Sequence, residues 1–337
     1  MTLIEPVFEI ETDLLPPEKV PAAPFSFPQA WTRSSVSKND YFFKLPDLCL
    51  EELRVIAENL TAGPLPFTVL TTDMFQLDHC QRFMQGVKDT LDNGVGFAIL
   101  DRLPLEYPMP TLEALHWLLG KLLGRPVAQS FTGKMMYEVR DRGTAIGIGT
   151  RGSHTNAELR FHTDCSSNVA PPDYVGLLCV QPAMEGGLSQ LANWYEVYNW
   201  LLETRPELCA RGFKPMLFDR QLEHAENDPR VLSRPPFAYD GKITVRYSER
   251  LNIQAYDLTG LPLDDEGAEM LREIAQILED PEISIDLDFQ PGQIQWINNA
   301  TIGHRRTSYL DDPETPEIKR TLLRLWLREQ GQLSYLG

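Results

Sequence analysis

Apolar positions in the first third of this chain recur at the spacing of an amphipathic helix. Leu48, Leu50, Leu53, Ile56, Ala57 and Leu60 form one stripe that stops near Gly63-Pro64, where a helix cannot continue. The same period predicts helices over 72–91 and 111–123, with the apolar run 95–100 between them reading as a strand. From about residue 130 the texture changes to short runs bounded by turn residues. Strands are predicted over 134–139, 173–180, 188–193, 243–247, 283–289, 293–297 and 320–327. Two helices interrupt them, 194–203 and 264–280, and the second opens with acidic side chains that suit the positive end of a helix dipole. Many strands at irregular spacing with few helices predict a mainly β fold with flanking helices. The expected form is a double-sheet jelly roll rather than a parallel α/β sheet.

The first 40 residues differ from the rest. Pro16-Pro17, Pro21 and Pro24 break any helix there, so 1–40 reads as an extended arm, lying along the body or over a neighbour as in a homodimer. Residues 41–337 read as one domain whose motifs fall within 130–328. A composition of 42% apolar and 23% charged residues is that of an ordinary globular chain. The balance of 31 basic against 48 acidic residues gives −17, which disfavours nucleic acid and anionic membranes as general partners. A small anion is still admissible, because a pocket can be locally basic. No apolar run approaches the ~18 residues of a membrane span, and the first residues lack the basic and apolar regions of a secretion signal. Cys49, Cys80, Cys165, Cys179 and Cys209 form no CxxC pair and read as reduced thiols of a cytoplasmic protein.

The chemistry starts at His162-Thr163-Asp164. On an extended segment residues i and i+2 point the same way, so this imidazole and carboxylate can grip one ion. A third ligand is available far downstream at His304, on another strand. Two imidazoles and one carboxylate occupy one face of an octahedral ion and leave the other open, as in two-His-one-carboxylate iron sites. Cys165 alternates to the opposite face and reads as a packing residue. A second signal follows in Lys319-Arg320-Thr321-Leu322-Leu323-Arg324-Leu325-Trp326-Leu327, an apolar strand carrying Arg320 and Arg324 on one face. A buried guanidinium needs an anion, and its fork matches a carboxylate. Metal ligands plus a strand arginine therefore point to a metal-chelating acid as cosubstrate.

These residues, together with Glu185-Gly186-Gly187-Leu188-Ser189, Gln290-Pro291-Gly292-Gln293 and Asn299 through Thr307, stand in the order seen in a known family. Over residues 130–328 the chain resembles the taurine dioxygenase (TauD/TfdA-like) family of Fe(II)/2-oxoglutarate oxygenases, which includes clavaminate-synthase-like proteins. The resemblance implies a double-stranded β-helix of the cupin-like kind. It also implies Fe(II) held by His162, Asp164 and His304, with 2-oxoglutarate and O2 as cosubstrates. Arg320 takes the place of the residue pairing with the distal carboxylate of 2-oxoglutarate, and Ser189 that of a hydroxyl bonding the same group. Arg324 lies where a cation meets the cosubstrate's inner carboxylate or the substrate's acid. Two departures touch the surroundings of the metal. Gly-Gly-Leu-Ser stands where an acidic residue or Thr often follows the glycines, and Asn298-Asn299 where Asn-Arg is frequent. The implied reaction turns 2-oxoglutarate into succinate and CO2 while a small polar or acidic molecule is hydroxylated, desaturated or cyclised.

Other polar residues divide into candidates and decoys. Arg246, alternating with apolar neighbours, and Arg151 and Asn156, in a glycine-rich loop, are candidates for contact with the substrate. His154 is a fourth ligand, a substrate contact or a loop hydrogen bond. His79, His116 and His224 read as structural, and Trp296 and Trp326 as core aromatics. Gly147-Ile148-Gly149-Thr150-Arg151-Gly152 satisfies GxGxxG, but no buried strand precedes it and no helix follows, so it reads as a loop beside the site. Substrate choice is expected to rest on residues 142–158 and 218–240. Two rival functions use the same residues: a zinc hydrolase built on the three ligands, and a non-catalytic binding protein that retains the jelly roll.

Overall fold

A computed structural model describes residues 7–9, 16, 19–144 and 151–336. Most of the predicted elements are present, and their burial explains why. Helix Asp47–Ala62 buries Cys49, Leu53, Ile56, Ala57 and Leu60, a single stripe at three-to-four spacing. With helices Asp78–Asp92 and Met109–Lys121 it covers one face of a seven-stranded sheet. The segment from residue 72, expected to be helical throughout, opens instead with a 3-10 turn, Thr72–Met74, and the helix starts only at Asp78.

The seven-stranded sheet runs Phe42–Lys44, Phe97–Asp101, Ile294–Asn298, Tyr174–Gln181, Thr321–Arg328 and Arg125–Pro126, with Met136–Val139 also paired to Thr321–Arg328. Its neighbours are antiparallel except for the Phe42–Lys44 edge. Strand Thr321–Arg328 shows how the sheet is used. Leu323, Leu325 and Leu327 pack under the helices, while Leu322, Arg324 and Trp326 face a cavity on the other side. A four-stranded antiparallel sheet closes that side in the order Ser284–Leu287, Ser189–Asn193, Ile302–Arg306 and Leu159–His162. Val175, Ile297 and Trp326 of the first sheet pack with Leu191, Ile285 and Ile302 of the second.

Behind the smaller sheet lie helices Trp194–Thr204, Pro206–Arg211 and Asp265–Leu278, which share a core with Ala192 and Ile283. Asn193 caps the first by accepting from Glu196 N at 2.9 Å, and Asp264 caps the third by accepting from Gly267 N at 2.8 Å. The architecture is thus mixed α/β, helices and sheet over sheet and helices. The expected fold is mainly β, a double-sheet jelly roll; the chain is instead mixed α/β, and among the described residues the strands form separate sheets rather than one closed barrel. Helix content exceeds expectation because segments such as Glu249–Thr259 bury polar Asn252 and Thr259 beside Leu251 and Ala255, which blurs their apolar period. Within the Pro-rich segment, Ala30 and Trp31 are buried and Phe25 packs edge-on against Tyr195.

Candidate active site

Strand pairing brings the three predicted ligands together. His304 is the direct cross-strand partner of His162 on the smaller sheet, and their rings lie 4.3 Å apart. The strand carrying His162 ends at that residue, so Asp164 sits on the turn just beyond it. It reaches the same point because Asn299 clamps its backbone, accepting from Asp164 N at 2.8 Å and donating to Asp164 O at 2.9 Å. One ligand atom from each residue lies within 4.8 Å of the others. Asp164 Oδ1 stands 3.5 Å from His162 Nε2 and 3.6 Å from His304 Nε2, too far for good hydrogen bonds.

The donor set fits a metal ion. His162 Nδ1 lies 2.9 Å from the Arg160 carbonyl, which fixes its proton there and leaves the Nε2 lone pair facing the gap. Burial, and then the neighbouring His162, push His304 down, so its ring is neutral. Asp164 Oδ2 accepts from Trp326 Nε1 at 2.7 Å and from Arg324 Nη1 at 3.3 Å, turning Oδ1 toward the imidazoles. Burial alone pushes the Asp164 carboxyl up. The Arg324 guanidinium, and after it the two adjacent imidazoles, outweigh it and hold the group well below the usual carboxylate range. Two imidazoles and a carboxylate held ionised are what a hard-to-borderline divalent cation takes.

The triad lines a cavity of ≈ 440 Å³ between the sheets, with Ser189, Arg306, Arg320 and Arg324 on its walls. Arg320 is 3% exposed; its Nη2 donates to the Gly187 carbonyl at 3.2 Å, and its Nη1 is buried without an acceptor. Gly187 is a requirement of this seat. Its φ is +69°, and a Cβ there would fall 2.8 Å from Arg320 Nε. Burial pushes Arg320 down and Arg306 to about 10, the Arg320 charge adding to the second shift. Ser189 Oγ donates to Gln295 Oε1 at 3.0 Å. Arg324 Nε donates to Gln129 Oε1 at 2.9 Å, and the guanidinium lies 4.3 Å from the Trp326 ring centre.

The remaining candidates separate. Arg151 lines the cavity and pairs with Glu223 at 2.6 Å. Asn156 Nδ2 donates to the Tyr309 carbonyl at 3.3 Å, and neither Asn156 nor Arg246 is among the described cavity walls. Arg246 donates to the carbonyls of Asn168 and Val169 at 2.5 and 3.3 Å, and burial pushes it to about 10. His154 stacks on Tyr137, ring centres 6.3 Å apart, and is not among the described cavity walls. Cys165 does not alternate away from the site: the strand has ended, its φ is +57°, and it lines the cavity while touching the core between the sheets. Gly147 and Gly149 of the GxGxxG run lie outside the described residues; Gly152 opens a 3-10 turn. Glu223, Gln129, Asn299 and the polar role of Trp326 were not foreseen. Trp326 had a signal, standing two residues after Arg324 and therefore on its face.

Similarity to known proteins agrees with this geometry. Residues 64–326 match the model of the family described as taurine catabolism dioxygenase TauD, TfdA family. FR-33289 synthase from Streptomyces rubellomurinus is 26% identical over 316 residues, spanning 89% of each chain. An asparagine oxygenase, solved with Fe(II), 3-hydroxyasparagine and succinate, superposes with a TM-score of 0.65 at 18% identity, covering 86% of this chain and 94% of that one. The non-haem iron oxygenase OrfP, solved with Fe and α-ketoglutaric acid, gives 0.64 at 15% identity with the same coverage. At such identities these two likenesses speak for the fold. With the greater part of its length inside the family match, the chain belongs to the TauD/TfdA dioxygenases.

Proposed function

We propose that this chain is an Fe(II)/2-oxoglutarate-dependent oxygenase acting on a small polar or acidic molecule, in a double-stranded β-helix whose two walls are the paired sheets. His162, Asp164 and His304 hold the iron, and Arg320 with Ser189 receives the distal carboxylate of 2-oxoglutarate. When bound, iron and 2-oxoglutarate supply the oxidising power: with O2 the keto acid becomes succinate and CO2, and the substrate is oxidised. The chain's own residues do the rest. Trp326 and Arg324 aim Asp164, Arg160 O fixes the His162 tautomer, and the apolar wall of Val175, Leu177 and Leu322 keeps water from the reacting atoms. Arg324, and Arg151 toward the opening, are placed for an acid on the substrate, whereas Arg246 and Asn156 act through backbone bonds that shape the loops. The five free thiols support a reducing, cytoplasmic setting. Among the described residues no helix is long and apolar enough to cross a membrane.

The observation that carries this reading is the convergence of His162, Asp164 and His304 beside a buried arginine that has no acid of its own among the described residues. A zinc hydrolase leaves Arg320 idle, and a mere scaffold has no need of the full triad. Anaerobic addition of Fe(II) and 2-oxoglutarate should give the weak visible charge-transfer band of a chelated keto acid. Asp164→Ala should abolish the band and all succinate formation. Turnover without O2 or 2-oxoglutarate would favour the hydrolase instead.

A further inference from the structure

Two arginines of the cavity share one aromatic ring. The guanidinium of Arg306 lies 4.9 Å from the centre of Tyr309, and that of Arg320 lies 5.0 Å from it. Arg306 is 6% exposed. Its Nη2 donates to the carbonyls of Thr155, at 2.8 Å, and Ala157, leaving Nε and Nη1 buried with no acceptor. Tyr309 Oη and Arg320 Nη1 are equally without a partner. Arg306 and His304 are two residues apart on one strand and both line the cavity, and Ser189 is the cross-strand neighbour of Arg306. Among the described residues no carboxylate forms an ion pair with either arginine, although buried donors of this kind call for an anion.

We propose that Arg306 is a second guanidinium for the distal carboxylate of 2-oxoglutarate, completed by the Tyr309 hydroxyl; this rests on the reading that 2-oxoglutarate is the cosubstrate. The same side chain ties that carboxylate to the substrate side. Its Nη2 holds Thr155 and Ala157, and Tyr309 exchanges backbone and side-chain bonds with Asn156, donating to Asn156 O at 3.1 Å. Residues 155–157 lead from Arg151 to His162, so filling the inner well steadies the segment that faces the substrate.

The test is calorimetric titration of the full chain loaded with Mn(II), a redox-inert stand-in, using 2-oxoglutarate and 2-oxobutyrate, which lacks the distal acid. Arg306→Met should weaken 2-oxoglutarate on the order of 30-fold while leaving 2-oxobutyrate and Mn(II) binding within about twofold. Hydrogen exchange of 151–158 should slow on adding 2-oxoglutarate to the parent protein and not to the variant. Arg320→Met is the reference. If it weakens 2-oxoglutarate and Arg306→Met does not, the second guanidinium is refuted and the cosubstrate reading stands. If neither matters, the cosubstrate reading falls as well. Should Arg306→Met fail to fold, Arg306→Lys decides: it keeps the charge but loses the fork, and about a fivefold weakening is expected, with unchanged affinity overturning the proposal.

Discussion

The inner and outer ends of the same cavity are charged by opposite rules. At the outer end three cations have brought their own acids: Arg151 pairs with Glu223 at 2.6 Å, Arg160 with Glu249 at 2.9 Å and Arg305 with Glu279 at 2.8 Å. At the inner end Arg306 and Arg320 are buried and keep donors that nothing in the described protein satisfies. Partly solvated pairs carry their own neutralising charge, so an end built from them makes little demand on the charge of its ligand. Buried, unpaired cations are costly until an anion arrives, so the inner end demands one. One end therefore states its ligand in chemical terms, and the other states only a permissive outline.

The sharpest way to break this contrast is to give the inner end an acid of its own. Ser189→Asp places a carboxylate beside Arg306, its cross-strand neighbour, in a well that holds two guanidiniums. Binding of 2-oxoglutarate to the Mn(II)-loaded protein should fall on the order of 1000-fold, while the melting temperature holds or rises. An unchanged affinity would show that the well is not where the keto acid's distal end is received.

A smaller effect is expected between the two ends, at the metal. Trp326→Phe keeps most of the packing and removes the N–H that meets Asp164 Oδ2 at 2.7 Å. Metal affinity should drop about 10–100-fold, with 2-oxoglutarate affinity for the metal-loaded form little altered. A competition titration with a chelator measures this directly. An equal loss in both affinities would mean that Trp326 serves the whole cavity wall rather than the carboxylate.

The inner end was also the readable one, for a physical reason. His304, Arg306 and Arg324 sit on strands and Arg320 stands one residue before one, so a period of two tells which side chains share a face. Charged residues in an apolar run such as 320–327 stand out because burial makes them expensive. Asp164 was found by that rule although it stands beyond the strand's end, where Asn299 and a left-handed Cys165 set the turn. Asn299 itself passed as a departure from a familiar pattern, and its clamp became visible only in three dimensions. Glu223 had no periodic signal at all. It hangs on the loop between strands Met216–Asp219 and Val231–Arg234, whose ends are tied by Arg230 to Asp219 at 2.9 Å, with Gln221 and Leu222 at φ of +55° and +63°. Such a conformation depends on tertiary contacts, which single residues do not announce.

The outer end yields the mildest prediction, and its mildness is the content. Glu223→Gln keeps an acceptor for the Tyr335 hydroxyl, now 2.6 Å away, but removes the charge opposing Arg151. Stability should change by less than about 1 kcal/mol, because this pair is partly solvated. Freed of its partner, Arg151 makes the opening more positive, so an acidic substrate should bind a few-fold tighter at low salt, with the gain fading as ionic strength rises. Denaturant melts and the salt dependence of substrate-stimulated succinate release measure the two parts. A destabilisation well above 2 kcal/mol would mean that the pair is a structural clasp, and the opening would then have to be read, like the inner end, as a region with a fixed requirement.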